Sequence, residues 1–474
     1  MRPLRIALYD DPLTLDPHQR NQLLTFTVLR NIYEALTAFD AGAKVGPSLA
    51  ESWENPSDLC WIFRLRRGVR FHDGHELTAE DVLYSFERAR HMPKSNVGGY
   101  LVSIDRVRAV DRYTVEVTTT QPFPVLLNKL AFILIVPAGS PEEIDHPVGT
   151  GPYRLESYTP KKRLSLAAFA DYWGGMPPER RVEFVPEPDL ERRIQALIAG
   201  EVDIIQEPGA ANIERIRGAP GTKIVVQDSL AAVFLLLRPD RPPFDDPRVR
   251  RAVDLALDRR ALVRNVLHGE GTPLGQMVGR NVFGYAPDLE PTLPDLDQAR
   301  ALLAASGHAG GLDVEAPYRS GRGPELEAVR EQLARVGIRL HPSERPWVEL
   351  FPQLLSGDQD LYFGAWFCLS ADASDLFDAM VHTRDAVRGY GASNFNRFSN
   401  PQLDEGIEQT SRTLDLLNRR HGLESCMRLL MADHSFLPLY SPSVLFGVRE
   451  NVDWQLRRDG LVLAKGISRH PEIG

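Results

Sequence analysis

PELEAVREQLARVGIRLH, residues 324–341, decides the fold class. Pro324 to Val336 reads as a helix, Gly337 stops it, and Ile338 to His341 reads as a strand. A helix feeding straight into a strand argues an α/β fold with some parallel pairing. Downstream, Leu361 to Phe367 is a short apolar run suited to a buried strand. A long helix follows over Asn400 to Leu430 with a break near Leu414 to Asn418, and then the apolar Phe436 to Tyr440. Upstream, Asp246 to His268 begins Asp-Pro, with Pro247 suited to a first helical turn. Asp189 to Ala199 carries Leu190, Ile194, Leu197 and Ile198 on one face and ends at Gly200.

The N-terminal third is built of the same units. Leu4 to Tyr9 reads as a buried strand. From Gln22 to Phe39, Leu23, Phe26, Leu29, Ile32, Tyr33 and Leu36 recur at helical spacing. Cys60 to Leu65 and Thr114 to Thr118 are strand-like around a polar helix, Ala79 to Arg90, which Thr78 caps and Glu80 and Asp81 favour.

At 474 residues the chain is too long for one ordinary core, so two or three domains are expected. Hydrophobic residues at 43% and charged residues at 25% exclude wholesale disorder. The best apolar run, Leu130 to Ala138, is too short to span a membrane. With 55 basic against 64 acidic residues, net −9, a nucleic-acid partner is not expected. Cys60, Cys368 and Cys426 form no CxxC pair, which argues against structural zinc and for three free thiols. The N-terminus, MRPLRIALYDDP, carries no export signal, so either the protein is cytosolic or a signal has been removed.

Enzyme signatures are missing. There is no GxSxG, GxxxxGK[ST] or HExxH, and no GxGxxG placed after a strand. His72 and His75, in FHDGHEL, have metal-like spacing but sit in an Asp-Gly turn and are expected to be solvated. Arg248, Arg250 and Arg251 are expected on a solvated helix face with Asp245, Asp246 and Asp254 rather than in a phosphate patch. Gly149 and Gly151, in VGTGPY, mark a bend. No catalytic residue, metal or cofactor is assigned.

Read in order, the segments resemble the extracellular solute-binding proteins of family 5, which serve oligopeptide, dipeptide and nickel ABC importers. The resemblance runs through LDPH (15–18), NIYEALTAFDAGAKVGPSLAESWE (31–54), WIFRLRRGVRFHDGHELTAEDVLYSFER (61–88) and VGTGPYRL (148–155). It continues through DYWGG (171–175), ERRIQALIAGEVDII (191–205), FDDPRVRRAVDLALDRRALV (244–263) and DLDQARALLAASG (295–307). NRFSNPQLDEGI (396–407) and LPLY (437–440) complete it.

That resemblance implies a two-lobed α/β periplasmic-binding-protein fold of cluster C type with an extra subdomain in lobe I. Lobe I would comprise about 1–32, 150–238 and 442–474, with the insertion at 33–149, and lobe II would be 239–441. It also implies a substrate-binding protein of an ABC importer rather than an enzyme. Such a protein captures a small oligopeptide or other small polar or amphiphilic solute between its lobes and delivers it to permease subunits. The expected chain is a monomer, peripheral to the membrane, and periplasmic or lipid-anchored outside the cell. A ligand-sensing module of a cytosolic regulator is the alternative.

Candidate ligand residues follow from the same resemblance. Trp366 and Phe367 end a strand whose following loop meets the ligand in this family. In dipeptide binders that loop reads roughly Gly-Asp-Pro-Asp-Asn-Phe, and its first Asp pairs with the peptide's α-amino group. Here it reads Asp372-Ala373-Ser374-Asp375-Leu376-Phe377, so Ala373 stands in the place of that acid and Asp372, one position away, is its candidate substitute. Trp347, Tyr390, Asn394 and Phe395 are expected near the same cleft, as are Arg20 and Asn21 from lobe I.

Overall fold

The computed structural model describes residues 2–20, 22–93 and 95–471. Two compact units divide the chain at 227/228 and again at 443/444.

In the first unit, the central strand Leu4–Leu8 is apolar and buried along nearly its whole length because it is flanked on both sides. It pairs in parallel with Arg181–Pro186 on one side and Ile204–Gln206 on the other. Arg163–Ala168 and Tyr153–Thr159 extend the first side, and the second half of the long strand Phe436–Arg449 pairs with Ile204–Gln206. Helix Leu190–Ile198 is capped by Asp189, whose carboxylate accepts from Arg192 N at 3.1 Å. It sets Ile194 and Leu197 against Ala7, Ile205 and Ile216.

The segment 33–149 lies within this same unit and carries its own four-stranded antiparallel sheet, Ala50–Ser57, Cys60–Leu65, Thr114–Thr119 and Ile104–Asp111 in spatial order. Helix Ala79–His91 starts with a capping box, Thr78 N donating to Asp81 Oδ2 at 2.8 Å. The helical stripe expected to reach Phe39 stops at Ile32. Gly151 N donates to the Ile32 carbonyl at 2.8 Å, and a Cβ at Gly149 would lie 2.1 Å from that oxygen. The two glycines therefore let the chain close over the helix end, which caps it from outside. Tyr33 and Leu36 stay buried without being helical, so their spacing reports burial rather than helix.

Two motif histidines are structural in this unit. His18 Nε2 lies 2.8 Å from the Leu134 carbonyl, and its Nδ1 faces Arg88 Nη1 at 2.9 Å, while Arg88 also pairs with buried Asp16. His72, expected in solvent, is instead mostly enclosed: Gly149 N donates to its Nδ1 at 3.3 Å and its Nε2 meets the Gly151 carbonyl at 3.0 Å. Burial is the main reason both rings are held down at a pKa of about 4.

The second unit is built on Ile338–Arg345, Leu312–Arg319, Leu361–Phe367, Ala231–Leu237 and the first half of Phe436–Arg449, in that order. The first three strands run parallel, and the fourth is antiparallel to both of its neighbours. Helix Gly323–Ala334 packs Leu326, Val329 and Leu333 into the core with Val314, Ile338 and Leu340. Ala231–Leu237, expected to close lobe I, is buried throughout in this sheet, so the division falls before it.

The single helix expected over Asp246 to His268 is two, Pro247–Ala256 and Arg259–Val266, because Asp258 starts a second cap with Ala261 N donating at 2.8 Å. Arg250 is not on a solvated face. It is buried, donating to the Phe244 carbonyl and pairing with Asp433 at 3.0 Å. Cys60, Cys368 and Cys426 are free.

Candidate functional site

The three parallel strands of the second unit, Leu312–Arg319, Ile338–Arg345 and Leu361–Phe367, all finish at the same sheet edge. In open α/β sheets, ligands gather outside the carboxyl ends of parallel strands, where loops and helix starts converge. Strand alternation fixes what is presented there. Leu361 and Phe363 enter the core, so Tyr362, Gly364 and Trp366 share the opposite face.

An aromatic series continues from that face. Phe234, Tyr362, Phe395, Phe351 and Trp347 follow one another with ring centroids 6.5, 5.9, 6.2 and 5.2 Å apart. Trp347, which opens helix Trp347–Ser356 just after Arg345, is 40% exposed, and Phe367 is 37% exposed. Trp366 is half-buried, and its indole Nε1 is enclosed with no hydrogen-bond partner among the described residues. Such a buried donor costs roughly 1–3 kcal/mol when left unpaired. Large apolar surface beside an unused donor is the composition of a small-molecule site.

Asp372 is a correction to the sequence expectation. Its carboxylate receives both arms of the buried Arg419 guanidinium, at 2.6 and 2.8 Å, and also Ser374 N at 3.0 Å and Ser374 Oγ at 2.8 Å. Both residues are buried, so the acid's bonds are filled from within the protein rather than by solvent. Arg419 also lies over the ring of Phe283, 5.2 Å from its centroid, and Phe283 bridges to Asp372 by backbone pairing. The pair locks the 368–377 loop to helix Leu416–Asp433.

Three other expected contacts are also engaged inside the protein. Asn394 is buried, its Nδ2 donating to the His382 and Phe398 carbonyls at 3.0 and 2.8 Å. Phe395 is buried within the aromatic series, and Tyr390 is half-buried, stacked on His382 at 4.2 Å. Arg20 is exposed in the first unit, and Asn21 lies outside the described residues. Sequence reading missed Tyr362, Phe351 and Arg419. Arg419 lies 47 residues from Asp372, and nothing in a single sequence signals such a pairing.

No group of three or more His, Cys, Asp or Glu side chains that could hold a metal occurs among the described residues. No described helix is long and apolar enough to cross a membrane.

Comparison with known proteins shows a match to bacterial extracellular solute-binding proteins, family 5 Middle, over residues 44–387. The dipeptide-binding protein of Escherichia coli K12 is 27% identical, covering 88% of this chain and 84% of its own length. Heme-binding protein A of Haemophilus influenzae is 27% identical over 79% of this chain and 75% of its own. The crystal structure of the ABC transporter substrate binding protein CtaP from Listeria monocytogenes superposes with a TM-score of 0.90 at 20% identity, covering 99% of each chain. The architecture is thus that of the two-lobed periplasmic binding proteins.

Proposed function

The chain belongs to the bacterial extracellular solute-binding proteins, family 5, as a substrate-binding protein of an ABC importer, and from that premise we propose where its solute docks. The solute lies against the carboxyl edge of the second unit, on Trp366, Phe367 and Trp347. The observation that carries this reading is the enclosed, unpartnered Trp366 Nε1 beside two exposed aromatic rings on one edge. An acceptor on the solute satisfies the indole, and an apolar part of the solute covers the rings.

With Asp372 closed by Arg419, recognition of a free α-amino group at this loop is disfavoured. The relatives' solutes, dipeptide in one and heme in the other, differ in whether they carry such a group at all, so the scaffold itself does not require it. The remaining contacts, Tyr390, Asn394 and Phe395, shape the edge from behind. The chain is read as exported and monomeric, delivering its solute to permease subunits at the outer face of a membrane. A cytosolic regulator is not favoured, because the family is extracellular.

The test is calorimetry of the Trp366→Ala variant with the solute released from denatured native protein. Loss of a central aromatic anchor is expected to cost about 2 kcal/mol or more, roughly 30-fold in affinity. Unchanged affinity would place the solute elsewhere.

A further inference from the structure

His382 directly follows the short helical turn Phe377–Val381 of the second unit, and its side chain is only 2% exposed. Among the described residues, the polar atoms that face its ring nitrogens are all acceptors. Nδ1 lies 2.7 Å from the Thr383 carbonyl and 3.7 Å from Asp404 Oδ1, and Nε2 lies 3.3 Å from Glu408 Oε1. A neutral imidazole has one N–H and one lone pair, so it satisfies one of these directions and turns its lone pair on an oxygen in the other. Only a ring with a proton on each nitrogen satisfies both.

The surroundings favour that charge. Burial alone would raise the Glu408 carboxyl, but the hydrogen bonds from Arg388 and His382 outweigh it and hold the group below its ordinary value, so Glu408 faces the ring as an anion. Asp404 accepts Thr383 N at 2.9 Å and has no cation other than His382 within salt-bridge distance among the described residues. Tyr390 lies parallel on the imidazole, with centroids 4.2 Å apart and planes at 13°, and an aromatic face favours a cationic ring. Arg388 and Arg412 oppose a charge there. Arg388, however, is neutralised by Asp385 at 2.6 Å and Glu408 at 2.7 Å, and Arg412 stands 3.9 Å from the other oxygen of Glu408. Asp378, a further acid beside this cluster, accepts from Ser411 Oγ at 3.2 Å.

The same contacts tie down a segment with little else to hold it. Residues 383–391 close on themselves through Asp385, whose carbonyl accepts Tyr390 N at 3.0 Å, and their tip is open, with Val387 97% exposed. The ties to helix Pro401–Thr410 are Thr383 N on Asp404, Arg388 on Glu408, and the His382 ring on both acids. A segment held by a few polar contacts rather than by apolar burial opens locally before the unit unfolds.

We propose that His382 is a proton-operated latch: its imidazolium bridges Asp404 and Glu408 and holds segment 383–391 against helix Pro401–Thr410, and loss of its proton loosens that segment. A group whose protonated form gains partners on folding gives its stabilisation in acid and loses it as pH rises. This is the reverse of His18 and His72, whose enclosure excludes the charged ring. The latch is independent of where the solute docks.

The test is hydrogen exchange of the full chain, read by mass spectrometry on peptides covering 383–391. It spans about pH 5 to 8, the range in which histidine changes charge, with rates corrected for the intrinsic pH dependence of exchange. Protection of this segment in wild type is expected to fall roughly fivefold or more from the acid to the alkaline end. Peptides of helix Leu416–Asp433 in the same unit are expected to hold steady. His382→Gln, which keeps a donor for Glu408 but does not titrate, is expected to abolish the pH dependence. Glu408→Gln, which leaves the histidine in place and removes one charge that it faces, is expected to move the transition to lower pH by about half a unit or more. Protection independent of pH in wild type overturns the proposal, as does a parallel fall in the reference helix or an unchanged profile in His382→Gln. Should His382→Gln not fold, Glu408→Gln decides alone: a transition that stays in place or moves to higher pH refutes the latch.

Discussion

The loop at Asp372 and the strand ends at Arg319 and Arg345 lie in the same unit, and each places charge near the same aromatic edge, yet they are opposite in electrostatic state. Asp372 is buried and saturated, with two bonds from Arg419 and two from Ser374. Arg319 and Arg345 are neighbours of like sign without a carboxylate partner among the described residues. A closed ion pair organises a loop and is costly to open, because removing one partner strands the other in low dielectric. An unpaired, partly hydrated pair of like charges costs folding a little. The type of a charged residue therefore says little about its role until its partner is known.

The largest effect expected from this contrast is at the closed pair. Arg419→Ala should destabilise the second unit by about 3–5 kcal/mol, read as a lowered midpoint in urea. Asp372→Asn should likewise lower stability, since Arg419 would keep its buried charge. Asp372→Asn that retains full stability but binds the released solute tenfold more weakly would reverse the assignment of that acid.

Acid sharpens the comparison between the two units. His18 and His72, both in the first unit, are held at about 4 against an ordinary 6.5, principally by burial. Below pH 6.5 the unfolded chain takes up protons that the folded rings refuse. Stability therefore falls between pH 6.5 and about 4 and levels off below, by about 2–3 kcal/mol per histidine. Melting curves of the wild type and of His18→Gln across that window check this; an unchanged slope in the variant would contradict it.

The smallest effect has the opposite sign. Arg319→Gln should stabilise the solute-free protein by about 0.2–1 kcal/mol at low ionic strength, and the gain should fade as salt screens the pair. A loss of stability would mean that Arg319 has a structural partner after all.

Much of this fold was legible because local chemistry and tertiary structure agree. Asp189, Thr78 and Asp246 cap the helices expected after them, and the apolar run Leu361–Phe367 is the strand expected there. The errors arose where a distant segment overrode the local pattern. The stripe through Tyr33 and Leu36 is buried but not helical because Gly149 and Gly151 close the helix at Ile32. Trp366, Phe367 and Trp347 could be singled out from family resemblance, but their common edge comes from parallel register. Arg319 and Arg345 could not be found that way, since only strand pairing brings residues 26 positions apart in sequence into line. The partner of Asp372 was illegible for the same reason: its loop resembles a ligand loop, and Arg419 is invisible until the helix carrying it has docked.

The most direct test of the central claim is the chemical identity of the solute, obtained by mass spectrometry of small molecules released from the denatured native protein. The account predicts a compound with a hydrogen-bond acceptor and a substantial apolar or aromatic part, whose binding weakens roughly 30-fold in Trp366→Ala. A solute without apolar surface, bound equally well by that variant, would contradict it.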